Sequence, residues 1–251
     1  MQLLSLSYKP WHWIAVLPDR QDLVILGEPV ALEAGRLQAS LVATPGLDLT
    51  LSRIHAAGSD IRLRGAGWQI GLAELRGALR QAAARLDAQE LALELTDLAP
   101  DRGLMARLPA ATELPDTISN IRIGLELGLN APLDRHALAA PPQIADIVLR
   151  EVRLTWGRLE IDATGRLHPD ATGHAEGRIE LRMRHWRLAL EVAVAGGWLH
   201  PDIARTWAEV MGGLAPGEAD GWLLLPLDFR KGRVSLGPLP LGPAPVLRPL
   251  F

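Results

Sequence analysis

Hydrophobic residues recur at every second position over long stretches of the chain. Ile121, Ile123, Leu125, Leu127 and Leu129 alternate with Arg122, Gly124, Glu126 and Gly128. Val152, Leu154 and Trp156, then Leu159, Ile161 and Ala163, then Ile179, Leu181 and Met183 repeat the pattern with charged or small polar partners. Leu47, Leu49 and Leu51 continue it, as do Leu91, Leu93 and Leu95. A period of two puts one face of a strand against apolar surroundings and the other in water, which predicts antiparallel strands. Little helical pattern separates the runs, so a parallel βαβ sheet is disfavoured.

Turn residues punctuate the runs at Pro18-Asp19, Pro45-Gly46, Gly58-Ser59-Asp60, Pro169-Asp170 and Lys231-Gly232. Arg230–Arg233 is expected to close a hairpin between Leu225–Phe229 and Val234–Leu236. The glycines of Gly65-Ala66-Gly67 read as a strand turn with a bulge at Gly67. Residues 99–116 and 131–143 are rich in proline and poor in alternation, and are the candidate seams within a single β-rich domain over residues 1–251. The first reads as a long connection or a segment with a short helix. Near the C-terminus, Pro201 and Asp202 open a helical pattern with Ile203, Trp207, Val210 and Met211 on one face. Residues 185–195 fit a strand through Leu188, Leu190, Val192 and Val194. They also fit a helix through Trp186, Leu190 and Ala193, and helix is preferred. The fold class is therefore α+β and mainly β, a long twisted antiparallel sheet with two helices near the C-terminus. Such a sheet hides an apolar face by curling or by accepting something apolar.

Composition narrows the chemistry. The chain has no cysteine, which excludes disulfides, thiolate metal sites and cysteine nucleophiles. A net charge of −3 gives no general attraction to nucleic acid or anionic lipid. Of the 26 basic residues only Lys9 and Lys231 are lysines, leaving 24 arginines spread along the chain. No apolar run approaches the roughly 18 residues of a membrane-spanning helix. No G-x-S-x-G, S-x-x-K, H-E-x-x-H or phosphate-loop spacing is present. His168, Asp170 and His174 are the nearest approach to a metal cluster, and a solvated turn explains them better. No catalytic residue, metal ligand or cofactor is therefore assigned.

Eight tryptophans supply most of the aromatic area. Trp11 and Trp13 share one face of a strand. For the set, core packing is one reading and a lipid- or partner-facing groove the other. On the second reading the candidate residues are Trp156, Trp186, Trp198, Trp207 and Trp222.

Two segments carry a resemblance. The chain opens Leu6-Ser7-Tyr8-Lys9-Pro10-Trp11-His12-Trp13-Ile14-Ala15-Val16-Leu17-Pro18 and closes with Asp228-Phe229-Arg230-Lys231-Gly232-Arg233 and the run Gly237–Pro245. Together with Gly177–Arg182, Trp186 and the Trp198–Gly213 segment, these resemble an alphaproteobacterial domain-of-unknown-function family, number 2125. That resemblance implies a β-rich body placed after an N-terminal hydrophobic anchor, on the periplasmic side of the inner membrane. The anchor is expected to be absent from this chain, because Gln2–Tyr8 already reads as a strand; a cytoplasmic location is the alternative. A looser similarity to AsmA-like envelope proteins implies a curved sheet that handles lipids or assists outer-membrane assembly. The expectation is a non-enzymatic envelope protein with a lipid or an envelope protein as partner, and no nucleic acid. The alternatives are a structural interaction module and, behind it, a hydrolase with an unrecognised site. The prolines of the closing run, Pro238, Pro240, Pro243 and Pro245, predict a strap leaving the last strand.

Overall fold

The computed structural model describes residues 2–6, 9–25, 27–83, 85, 87–137, 139–214, 221–237 and 239–247. Its strands are β1 (Gln2–Leu6), β2 (Lys9–Val16), β3 (Arg20–Ile25), β4 (Glu28–Glu33), β5 (Arg36–Ala43), β6 (Leu51–Gly65), β7 (Trp68–Gln81) and β8 (Ala88–Ala99). There follow β9 (Ile118–Leu129), β10 (Ile144–Trp156), β11 (Leu159–Pro169), β12 (Ala175–Arg184), β13 (Leu223–Arg230), β14 (Arg233–Leu236) and β15 (Leu239–Pro243). The helices are α1 (Arg102–Arg107), α2 (Trp186–Ala195) and α3 (Pro201–Leu214), with a 3-10 turn at Ala110–Thr112.

All fifteen strands join one antiparallel sheet that does not close on itself. From β5 to β15 the strands lie side by side in sequence order. The β3–β4 hairpin branches off, and β4 pairs with Arg62–Arg64 of β6 where β5 has ended. The segments 99–116 and 131–143 connect neighbouring strands β8, β9 and β10, so neither interrupts the sheet. Residues 185–195 resolve as helix α2.

Cross-strand register turns the alternation into ladders. Ala56, Gly77, Leu93, Ile123, Val152, Ala163, Leu181 and Leu225 stand opposite one another in turn across eight strands. Four core clusters cover parts of this apolar face. Helices α2 and α3 lay Trp186 and Met211 over Met183, Leu223 and Leu225. Helix α1 and the far side of α2 cover Ile118, Trp156 and Leu159 through Met105, Leu188 and Val192. Smaller clusters close the sheet's ends around Leu129 and Leu133, and around Leu167, Ala175 and Phe229.

One transverse row breaks the period of two. Apolar positions step by three from Gly58 to Ile61, Leu75 to Leu72, Leu95 to Leu98 and Ile121 to Ile118. Ile61, Leu72, Leu98 and Ile118 are nevertheless cross-strand neighbours, and Ile118 packs with Ile121 and Leu98 in one cluster. Asp60 (φ 52°) and Asp97 (φ 50°) take up the change in left-handed backbone, which a short polar side chain tolerates.

Four other expectations change. Gly58-Ser59-Asp60 lies inside β6 rather than between strands, because that row holds the kink. Leu47 and Leu49 sit in a loop after Pro45-Gly46 and are exposed, and only Leu51 begins a strand. The closing run stays in the sheet as edge strand β15, paired with β14 across a bulge. Its prolines are accommodated because an edge needs donors on one side only; Pro238 lies outside the described residues. Beyond β15 the chain does strap, since the Ala175 amide donates to the Pro245 carbonyl and the Leu247 amide to Gly173, at 2.8 Å each. Lys231 (φ 52°) and Gly232 (φ 69°) close the expected hairpin with a type I′ turn. Gly67 (φ 84°) completes a two-residue turn joining Gly65 to Trp68, not a bulge.

Candidate functional site

The apolar face is only partly covered. Ile54, Leu75, Leu91, Leu93, Leu95, Ile123, Leu125, Leu149 and Val152 belong to none of the four core clusters. All are half-buried. The whole chain exposes 15083 Å². A compact monomer of this mass would expose about 10,900 Å². The excess of about 40% marks a single layer whose helices reach only part of one side.

The opposite face is polar and charged. Arg80 donates to Glu90 at 2.7 Å, Arg122 to Glu94 at 3.0 Å and Arg153 to Asp162 at 2.9 Å. Arg182 joins Asp162 at 3.0 Å and lies 4.7 Å over the Trp222 ring. Arg178 holds Asp228 with two bonds, at 2.9 and 3.1 Å. Partial burial pushes the Asp162 carboxyl up, but its bonds from Arg153 and Arg182 together outweigh this and hold it below the usual range. The bond from Arg178 does the same for Asp228. Between these ladders a furrow of about 600 Å³ crosses the sheet. Its floor is the cross-strand row Ser40, His55, Ala78, Ala92, Gly124 and Glu151, small at the centre and polar at both ends.

The structure does not gather the candidate tryptophans into one site. Trp156 is 2% exposed and donates its ring N–H to the Pro115 carbonyl at 2.7 Å. Trp186 is equally buried and carries Arg187 over its ring at 4.3 Å. Trp207 is half-buried against the same core. Trp222 stands on the charged face, whereas Trp198 is 74% exposed in the turn before α3. Of the earlier pair, Trp13 stands opposite Leu41 on the apolar side. The His168–His174 segment forms a tight turn. Asp170 accepts from the Thr172 amide at 2.8 Å, the Thr172 hydroxyl at 2.7 Å and the His174 amide at 3.0 Å. No group of three potential metal ligands converges among the described residues.

A family model described as an uncharacterized protein conserved in bacteria, DUF2125, matches residues 1–245. The chain belongs to DUF2125. No curated protein and no solved structure matches the chain. What this DUF2125 sheet can do is therefore read from its surfaces: an apolar side left partly open and a charged side carrying a furrow. Sequence reasoning finds the apolar ladder but misses the furrow. Its only signal is the small residues Ala78, Ala92 and Gly124 at solvent-side positions where Arg and Glu otherwise stand.

Proposed function

We propose that this protein is a non-catalytic lipid-handling component of the bacterial cell envelope that receives acyl chains on the open part of its apolar face. The observation that carries the reading is the ladder through Leu75, Leu93, Ile123 and Val152, which belongs to none of the four core clusters among the described residues. An acyl chain needs no directed hydrogen bonds, only apolar contact. Burying a dozen methylenes releases about 10 kcal/mol at roughly 0.8 kcal/mol each. That exceeds the low end of the association cost, about 4 kcal/mol, by enough for reversible holding.

Native mass spectrometry after mild extraction tests the reading. Co-purifying lipid is expected on the wild-type protein, and Leu93→Asp is expected to lose it while the protein stays folded. A clean apo mass, with no uptake of a fluorescent fatty acid, overturns it.

A second reading, a docking module for an envelope protein, is favoured by Trp198, Ile203 and Val210. These large apolar side chains are exposed on α3 and the turn before it. A stoichiometric cross-linked partner lost on Ile203→Glu supports this reading over the first.

A further inference from the structure

We propose that the cavity at the tip of the β6–β7 hairpin binds a phosphate-bearing anion. The cavity holds about 840 Å³ and is assembled from separate stretches. Strand β6 brings Arg62 and Arg64, the start of β7 brings Trp68 and Gln69, and the β8–α1 junction brings Asp101 and Arg102. Arg62 and Arg64 are two apart on one strand, so both leave the same side, about 7 Å from each other at the backbone. The floor beside Arg62 is Gly71 and then Ala99, its successive cross-strand neighbours. A Cβ at Gly71 would meet only the Ala99 Cβ, at 3.6 Å, so the space is open for want of a side chain.

The charge balance points to an anion. Asp101 and Asp116 are the two carboxylates lining the cavity. Asp101 is already committed, accepting from the amides of Gln69 at 3.0 Å, Gly103 at 2.8 Å and Leu104 at 3.2 Å. Arg64 donates to the neutral Gln69 side-chain oxygen at 3.3 Å rather than to a carboxylate. Arg62 and Arg102 make no ion pair among the described residues, whereas arginines elsewhere on the charged face hold Glu90, Glu94, Asp162 and Asp228. Three guanidiniums therefore face two carboxylates, one of which is occupied. Guanidinium forks match the paired oxygens of a phosphate. Trp68, at the hairpin tip, also lines the cavity. Arg62, Arg64 and Gly71 lie on the side of the sheet opposite the buried Ile61, and none of Leu75, Leu93, Ile123 and Val152 lines the cavity, so phosphate binding does not depend on acyl chains binding to the open ladder.

Titration calorimetry with inorganic phosphate, alongside co-sedimentation with phosphatidylglycerol–phosphatidylcholine vesicles and with phosphatidylcholine vesicles alone, tests the assignment. Saturable phosphate binding is expected. It should weaken about tenfold or more in Arg62→Gln/Arg102→Gln, a loss of about 1.4 kcal/mol or more. Gly71→Val should weaken it similarly without changing charge, by filling the floor. Valine suits a strand, so this variant keeps the test decisive if the arginine pair fails to fold. Sedimentation of the wild type with the anionic vesicles alone, lost in the variants, names a lipid headgroup as the source. Phosphate binding without vesicle binding names a soluble ester. An absence of saturable binding to either probe overturns the proposal, as does unchanged binding in folded Gly71→Val. Loss of fatty-acid uptake with phosphate binding intact would defeat only the acyl-chain reading.

Discussion

Asp60 and Asp97 show how far one backbone angle reaches. Each sits in left-handed conformation within a strand, and around them the apolar side of the sheet shifts phase by one residue. A β-branched residue has no comfortable place there. Asp97→Val is expected to cost about 1–2 kcal/mol, and Asp97→Gly to be neutral or stabilising, both read from urea unfolding midpoints. Asp101 acts at the same scale. It joins the start of β7 to the first turn of α1. Asp101→Ala is expected to lower stability by about 1 kcal/mol, with Asp101→Asn restoring most of it. The bond from the Gln69 amide, with those from Gly103 and Leu104, holds the Asp101 carboxyl below its ordinary value. Arg122 does so for Glu94 and Arg178 for Asp228. A carboxyl held down in the folded state adds stability that is complete above its unfolded value, near pH 4, and is lost as the pH falls through the folded one. Stability is therefore expected to fall below about pH 4, with thermal melts across that range less steep in Asp228→Asn.

Single elements decide how much of the sheet is closed. Helix α3 exposes its Asp202, Arg205 and Glu209 face to water and buries Met211, which is 1% exposed. Met211→Ala is expected to cost about 2–5 kcal/mol, measured by chemical unfolding, because the helix and the strands beneath it cannot both follow the lost side chain. Much at this scale was legible in the sequence, since period-two patterns name strands without knowing their partners. Helix α2 was ambiguous because Leu188, Leu190, Val192 and Val194 fit a strand while Trp186, Leu190 and Ala193 fit a helix, and packing of Trp186 against Met183 and Leu223 settles it. The loop at Leu47 and Leu49 was misleading because three alternating leucines carry no information about the preceding Pro45-Gly46 turn. The furrow and the arginine cavity were illegible for a different reason. Arg62, Gly71, Ala99 and Arg102 become neighbours only through the register of three strands, and register is a property of pairs.

At the scale of the whole molecule the decisive quantity is surface. With 15083 Å² exposed, folding removes about 15% less area than it would for a compact chain of equal mass. The urea m-value is expected to be smaller by a similar fraction, since it scales with the area exposed on unfolding. A value typical of compact proteins of this length would mean that the open face is covered in solution, by lipid or by another copy.

The order of the strands has a consequence for how the molecule is made. From β6 onward each strand lies next to the one synthesised just before it. A chain emerging end-first from a narrow exit can add rungs as they appear, with no early segment held open for a late one. The last rung is the proline-bearing β15, a terminator that offers the next molecule few donors to continue from.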